Sequence, residues 1–258
     1  MKNKRYLVPA DSDVGIVKKT NQDSICAFHA NSPVGEIVMA IVCDGMGGLA
    51  KGELASATVV RAFSNWFQTE LKYELAKLDM QVIAGKWELM LKELNIKIMS
   101  YGKQYQTSLG TTFTGILIIG DAYTAVHVGD TRLYYIGAEM QQLTEDHTVV
   151  AQKIRRGEIT QDQAETDHQR NVLTQCIGAS PHIIPQILFG TVSDGTYLLC
   201  SDGFRHKISA LEIQRAFQKN MLSTPSQMHA QAKKMILTVK QRQERDNISA
   251  LLIRADHS

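Results

Sequence analysis

The chain has 258 residues, 44% of them hydrophobic and 21% charged, which is ordinary for a globular protein with a packed core. Its formal net charge of +2 is too small for a nucleic-acid partner, which needs a dense basic surface. Residues 1–13 contain no apolar stretch long enough for a signal peptide, and the longest apolar run, residues 37–43, is too short for a membrane span, so the expectation is a cytoplasmic protein with no membrane attachment.

From the N-terminus, Lys2, Lys4 and Arg5 read as a solvated tail. Short runs rich in β-branched or apolar residues and bounded by turn formers predict strands over 24–28, 36–43, 115–119, 123–128, 133–136, 197–200 and 248–253. Between them, residues 53–71 place Leu54, Ala57, Val60, Ala62, Phe63, Phe67 and Leu71 near helical spacing. Residues 87–99 do so with Leu89, Leu91, Leu94, Ile96 and Ile98, and further helices follow Ser209 and cover 226–240. Strands in hairpin-like blocks with helices grouped between them favour an α+β fold over a doubly wound sheet. The expected architecture is two packed antiparallel sheets covered by helices, in a single domain spanning 1–258. With no spare apolar helix face, the expected state is a monomer.

Residues 146–167 stand apart as a polar helical stretch, read as a mobile flap near the strand rim. Its first helix should stop at Gly157, and the next should start at Thr160 with Gln163 completing a capping box. Lys153, Arg155 and Arg156 read as a solvated helix face. The cysteines Cys26, Cys43, Cys176 and Cys200 form no C-x-x-C pair, which argues against zinc or redox chemistry. Cys43 and Cys200 fall inside apolar strand runs and read as small buried hydrophobes.

The chemistry lies at the strand ends. Asp23, Asp44, Asp130, Asp202 and Asp246 each begin or end a predicted strand. Neighbouring antiparallel strands start and finish at one edge, so these side chains can converge there. Converging carboxylates raise one another's pKa unless a cation neutralises them. Asp44 opens Asp44-Gly45-Met46-Gly47-Gly48, a turn flexible enough for the Gly45 carbonyl to approach an ion. An all-oxygen donor set selects Mg²⁺ or Mn²⁺ over zinc or copper. Two such ions suit in-line displacement at phosphorus. Asp194 belongs to a second Ser-Asp-Gly that precedes its strand; it sits at the opposite end and is rejected as a ligand.

Eight motifs in order resemble the bacterial metal-dependent serine/threonine protein phosphatases, the PPM or type 2C family. They are Ser12-Asp13-Val14-Gly15 with Asn21-Gln22-Asp23-Ser24, the Asp44 turn, Leu109-Gly110-Thr111-Thr112, His127-Val128-Gly129-Asp130-Thr131-Arg132, Leu143-Thr144-Glu145-Asp146-His147, Arg170-Asn171-Val172-Leu173-Thr174, Ser201-Asp202-Gly203 and Asp246-Asn247-Ile248-Ser249. The resemblance implies an α-β-β-α sandwich and a phosphatase acting on phosphoserine and phosphothreonine. By the same resemblance, Asp44 bridges two Mn²⁺ or Mg²⁺ ions and Gly45 offers its carbonyl to the second. Asp202 and Asp246 complete the first, Asp23 orients metal-bound water, and Asp130 with Asp202 takes a third, weaker ion. Phosphorylated proteins made by a cognate serine/threonine kinase are the implied substrates.

There are departures from the family pattern. Lys18 stands where relatives carry a phosphate-gripping arginine, and lysine cannot make the two-pronged contact, so looser substrate binding is expected. Met46 replaces the histidine of eukaryotic members, so water or another residue protonates the leaving alkoxide. Thr131 replaces serine, with little effect expected. His168-Gln169 replaces a His-Pro pair, and His168 reads as a surface residue. His127 is expected to pack within its strand and His147 to cap the flap helix. The alternative function, an inactive phosphopeptide-binding relative, should lack a ligand carboxylate, and none is missing. A two-metal nuclease would want a basic groove, which the charge balance does not supply.

Overall fold

The computed structural model describes residues 4–46, 51–218 and 224–257. Two sheets, antiparallel throughout, stack face to face. The first runs β3 (Ser24–Ser32), β4 (Gly35–Cys43), β5 (Phe113–Ile119), β6 (Ala122–Val128) and β9 (Gln186–Thr191). The second runs β1 (Lys4–Leu7), β11 (Ile248–His257), β10 (Gly195–Cys200), β7 (Arg132–Ile136) and β8 (Met140–Gln142), with β2 (Ala10–Asp13) also on β11. Helices α1 (Gly52–Thr69), α2 (Leu71–Leu75) and α3 (Met80–Gln104) cover the first sheet. On the second lie α6 (Asp202–Arg205), α7 (Ala210–Phe217) and α8 (Pro225–Gln241). The α-β-β-α sandwich expected from the sequence is the observed architecture.

Strand β4 accounts for the layering. Val38, Ala40 and Val42 face the other sheet, while Ile37, Met39, Ile41 and Cys43 face α1 and α3. Both faces are buried, so the strand reads as an unbroken apolar run rather than an alternation. Under the helices, Trp66 and Trp87 meet edge to face at 5.6 Å, and Phe63 meets Trp87 likewise at 5.0 Å. All three side chains are buried, each contributing roughly 1.5–3 kcal/mol by leaving water.

Helix α3 starts earlier than predicted. Asp79 caps it, accepting from the backbone N–H groups of Gln81 and Val82. Its buried face carries Ile83, Trp87, Leu91, Leu94 and Ile98, so Leu89 and Ile96 of the predicted stripe are exposed on the other side, in line with Val82. Those two fall two residues out of step with the buried 3–4 spacing. An exposed apolar row therefore does exist on a helix, contrary to the sequence reading. Lys4 and Arg5, read as a solvated tail, belong to a strand paired with Asp256 and His257; Lys2 lies outside the described residues.

The flap consists of α4 (Val149–Arg155) and α5 (Gln161–Thr166). It behaves locally as its sequence dictates. Gly157 has φ +70°, and the Gly157 and Glu158 N–H groups return to the Ile154 and Lys153 carbonyls, closing a Schellman motif. Thr160 and Gln163 form the capping box. Val150 and Ala164 are the buried side chains of these two helices. Lys153 ties them together through Asp167 at 2.8 Å; its basic neighbour Arg155 pairs with Glu145 at 3.2 Å. Thr148, not His147, caps α4. His147 instead accepts from the Gly129 N–H through Nδ1 at 3.1 Å.

Candidate metal-dependent active site

Strand register delivers the aspartates to one edge. Cys43 at the end of β4 lies opposite Ser24 at the start of β3, so Asp44 and Asp23 extend from adjacent strands at the same rim. In the second sheet, Cys200 lies opposite Ala250 and Arg132. Asp202 therefore leaves the sheet where Asp246 and Asp130 enter it. Asp194 sits at the far end of β10, in the turn before Gly195, as its rejection required.

Sharing this space, the carboxylates raise one another's pKa. Asp44 is held well above the ordinary carboxylate range, first by burial and then by the charges of Asp23, Asp202, Asp130 and Asp246. Asp23 is pushed up to about 7 by burial, against the help of Ser249 and Ser201, with Asp202 and Asp246 adding repulsion. Burial and Asp202 likewise push Asp130 to about 7, opposed by Arg205. Among the described residues, no three acidic, histidine or cysteine side chains close into a ready-made metal shell; the carboxylates act on one another without touching.

The chain holds these groups by contacts that leave carboxylate oxygens free for other partners. The Asp44 carbonyl accepts from the Thr112 N–H and the Thr111 hydroxyl, each at 2.9 Å, and the Thr112 hydroxyl accepts from the Asp44 N–H at 2.9 Å. The Gly45 N–H donates to the Gln22 carbonyl at 3.1 Å. Ser249 donates to Asp23 Oδ2 at 2.6 Å. Asp23 Oδ1 and Asp202 Oδ1 are buried without a hydrogen-bond partner. Orphaned buried acceptors carry a desolvation cost of about 1–3 kcal/mol each. Orphaned oxygens, raised pKa values and an all-oxygen donor set fit a hard divalent cation. Gly47 and Gly48 of the Asp44 turn lie outside the described residues.

Lys18 reaches the same rim, with Nζ 2.9 Å from Asp246 Oδ1. A cleft of about 1590 Å³ opens from Lys18, Asp130, Asp202 and Asp246 between the flap and α6–α7. Behind it, the Thr131 and Thr114 hydroxyls lie 2.7 Å apart, and Thr114 Oγ1 is 2.8 Å from His127 Nδ1. A serine at 131 would keep that hydroxyl, consistent with a mild substitution. His127 is buried, which pushes its pKa down to about 3, with His147 adding to the effect. His168 is exposed, near Asp167 at 3.4 Å, and takes no part in the rim.

Several contributors escaped the sequence reading. Asn247 Nδ2 donates to the Val14 and Thr20 carbonyls at 2.9 and 3.2 Å, while its Oδ1 accepts from the Gln22 N–H at 2.9 Å. It staples the segment bearing Lys18 to the loop bearing Asp246, just before β11. His206 stands 3.5 Å from Asp202 Oδ2 and 3.7 Å from Glu244 Oε2. Burial works against its proton, but Glu244 and Asp202 raise its pKa on balance. Arg205 faces Asp130 and Asp146. A clue to the last two was their place just after Ser201-Asp202-Gly203, on the turn that carries a ligand.

The profile of the family described as Protein phosphatase 2C matches residues 16–252. The chain belongs to this family. Protein phosphatase PhpP of Streptococcus pneumoniae is 35% identical over 210 residues, covering 79% of this chain and 80% of PhpP. The crystal structure of the serine/threonine phosphatase Stp1 from Staphylococcus aureus superposes with a TM-score of 0.85 at 25% identity, covering 99% of this chain and 98% of that one. The catalytic domain of the phosphatase PstP, solved in complex with 2 manganese ions, gives a TM-score of 0.79 at 26% identity, covering 98% and 99% of the two chains. This type 2C chain is thus a protein serine/threonine phosphatase, and phosphoproteins are its substrates. Among its described residues, no helix is long and apolar enough to cross a membrane.

Proposed function

We propose that the phosphatase hydrolyses phosphoserine and phosphothreonine with two divalent ions, Mn²⁺ or Mg²⁺, held by Asp44, Gly45 O, Asp202 and Asp246. The observation that carries this is the convergence of carboxylates from two sheets on one rim, where they raise one another's pKa. When bound, the ions supply an activated water and charge neutralisation for direct in-line displacement at phosphorus, with no phosphoenzyme. The chain's own groups do the remainder. Asp44, reaching the rim from the first sheet, would help to hold both ions. Asp202 and Asp246 act from the second sheet. Asp23, hydrogen-bonded to Ser249, orients the water. Lys18 binds the substrate phosphate at the cleft mouth, and the flap borders the cleft that receives the peptide. The reading extends to one domain, acting in the cytoplasm on the products of a cognate kinase. The four cysteines are all free, which fits a reducing compartment.

Hydrolysis of p-nitrophenyl phosphate and of a phosphothreonine peptide is expected with Mn²⁺, to be abolished by EDTA and restored by excess Mn²⁺. Activity that persists in EDTA after exhaustive dialysis contradicts the proposal. Lys18→Arg is expected to lower KM several-fold with kcat little changed, because a guanidinium can grip phosphate with two parallel donors. An unchanged or higher KM counts against Lys18 as the phosphate-binding residue.

A further inference from the structure

Beside the carboxylates assigned to two ions lies a second charged cluster, in which two arginines face Asp130 and Asp146. Arg205 stands on α6, three residues after Asp202. Its Nη2 donates to the Asp130 carbonyl at 3.2 Å, and lies 3.8 Å from Asp130 Oδ2 and 3.7 Å from Asp146 Oδ2. Arg132 grips Asp146 with two nitrogens, Nε at 2.8 Å from Oδ1 and Nη2 at 2.7 Å from Oδ2. Gln142 Nε2 adds a third donor to Asp146 at 3.0 Å. Two arginines thus face two aspartates in a corner where the Arg205 and Asp130 side chains are 16% and 12% exposed. Arg205 Nε is buried with no hydrogen-bond partner. The guanidinium is therefore not consumed by a bidentate pair; it sits among the carboxylates as a fixed positive charge.

The family resemblance expects Asp130 and Asp202 to share a third divalent ion. Such an ion needs several oxygen ligands at about 2.0–2.6 Å, and one side of Asp130 already faces a cation. Like charges held a few ångströms apart in a poorly hydrated corner repel strongly. Asp146, the nearest further carboxylate, is committed to Arg132. We propose that Arg205 is a built-in cation that takes the place of a third divalent ion at the Asp130–Asp202 corner. This rests on the two-ion reading of the neighbouring site. Because Arg205 also faces Asp146, the same side chain ties the base of the flap to the metal-bearing rim, a link that a soluble ion would make only while bound.

The count of ions tests it without reference to turnover. In equilibrium dialysis against rising MnCl₂ into the millimolar range, the wild-type chain is expected to bind two Mn²⁺. Arg205→Met, which keeps the bulk of the stem and removes the charge, should gain a third, weaker class. Arg205→Lys, which keeps the charge, should stay at two. Three ions on the wild type overturn this inference alone, as does a folded Arg205→Met that binds only two, folding being checked by circular dichroism. Fewer than two ions on the wild type overturn the two-ion reading and this inference with it. Should neither variant fold, the wild-type count still decides between two and three.

Discussion

Asp44→Asn is expected to lower kcat/KM about a hundred- to a thousandfold, the order seen when a group that stabilises transition-state charge is removed, while making the metal-free protein more stable. The two effects have one cause. Burial first, and then the charges of Asp23, Asp202, Asp130 and Asp246, hold the Asp44 pKa well above the ordinary range. A carboxyl whose folded pKa is raised lends stability at low pH that is lost as pH rises past the ordinary value near 4, so at neutral pH its charge opposes folding. Asparagine keeps the shape and removes the charge. The backbone contacts to Thr111 and Thr112 do not involve the carboxylate, so the turn should survive. In EDTA at neutral pH the variant should melt above the wild type by a few degrees, each kcal/mol being worth about 2–4 °C at this size. Saturating Mn²⁺ should reverse the order, since an ion at 100 times its Kd stabilises its host by about 2.7 kcal/mol. Thermal melts with and without Mn²⁺, beside turnover of p-nitrophenyl phosphate, read both effects. A variant that keeps its activity, or melts below the wild type in EDTA, shows that Asp44 is not a charge in conflict awaiting a cation.

How much of this was legible in the sequence differed between strand types. Strands β4, β5 and β10 are buried on both faces, and their continuous apolar runs marked them. Strands β2 and β9 lie at sheet margins. The β2 sequence, Ala10–Asp13, has no β-branched residue and is held through its register with β11 and by tertiary contacts such as the Asp13–Lys240 pair at 2.8 Å. Such tertiary support overrides weak propensity and leaves no local trace. The ligand candidates were legible because strand ends are local features and two of them are followed by glycine. Arg205 and His206 were not, because their partners Asp130, Asp146 and Glu244 are remote in sequence, and only the fold brings them within 4 Å. In α3 the periodicity existed, but Leu89 and Ile96 diluted it, and only packing against Trp66 and Phe113 reveals which face is inward.

Gly203→Ala is expected to cost the phosphatase both stability and its Mn²⁺ affinity, although glycine has no side chain to contribute. A Cβ built on Gly203 would lie 2.1 Å from the Asn247 carbonyl oxygen and 3.4 Å from the Asp246 Cβ. Asn247 cannot easily give way, because its side chain is held by Val14, Thr20 and Gln22. Helix α6 must therefore move, carrying Asp202 away from Asp246. Overpacking of this kind costs about 1–3 kcal/mol, and a displacement of about 1 Å between groups that act together can cost a hundredfold in rate. The expected result is a melting temperature lower by several degrees, Mn²⁺ affinity down at least tenfold by calorimetry, and activity down about a hundredfold at fixed Mn²⁺. Gly157→Ala is the control. Its φ of +70° is unfavourable for alanine, but a Cβ there meets nothing within 4 Å, so it should lose about 1 kcal/mol of flap stability and leave Mn²⁺ affinity unchanged. Equal Mn²⁺ affinity in Gly203→Ala and the wild type would mean that the spacing of α6 from the Asp246 loop does not set the distance between Asp202 and Asp246.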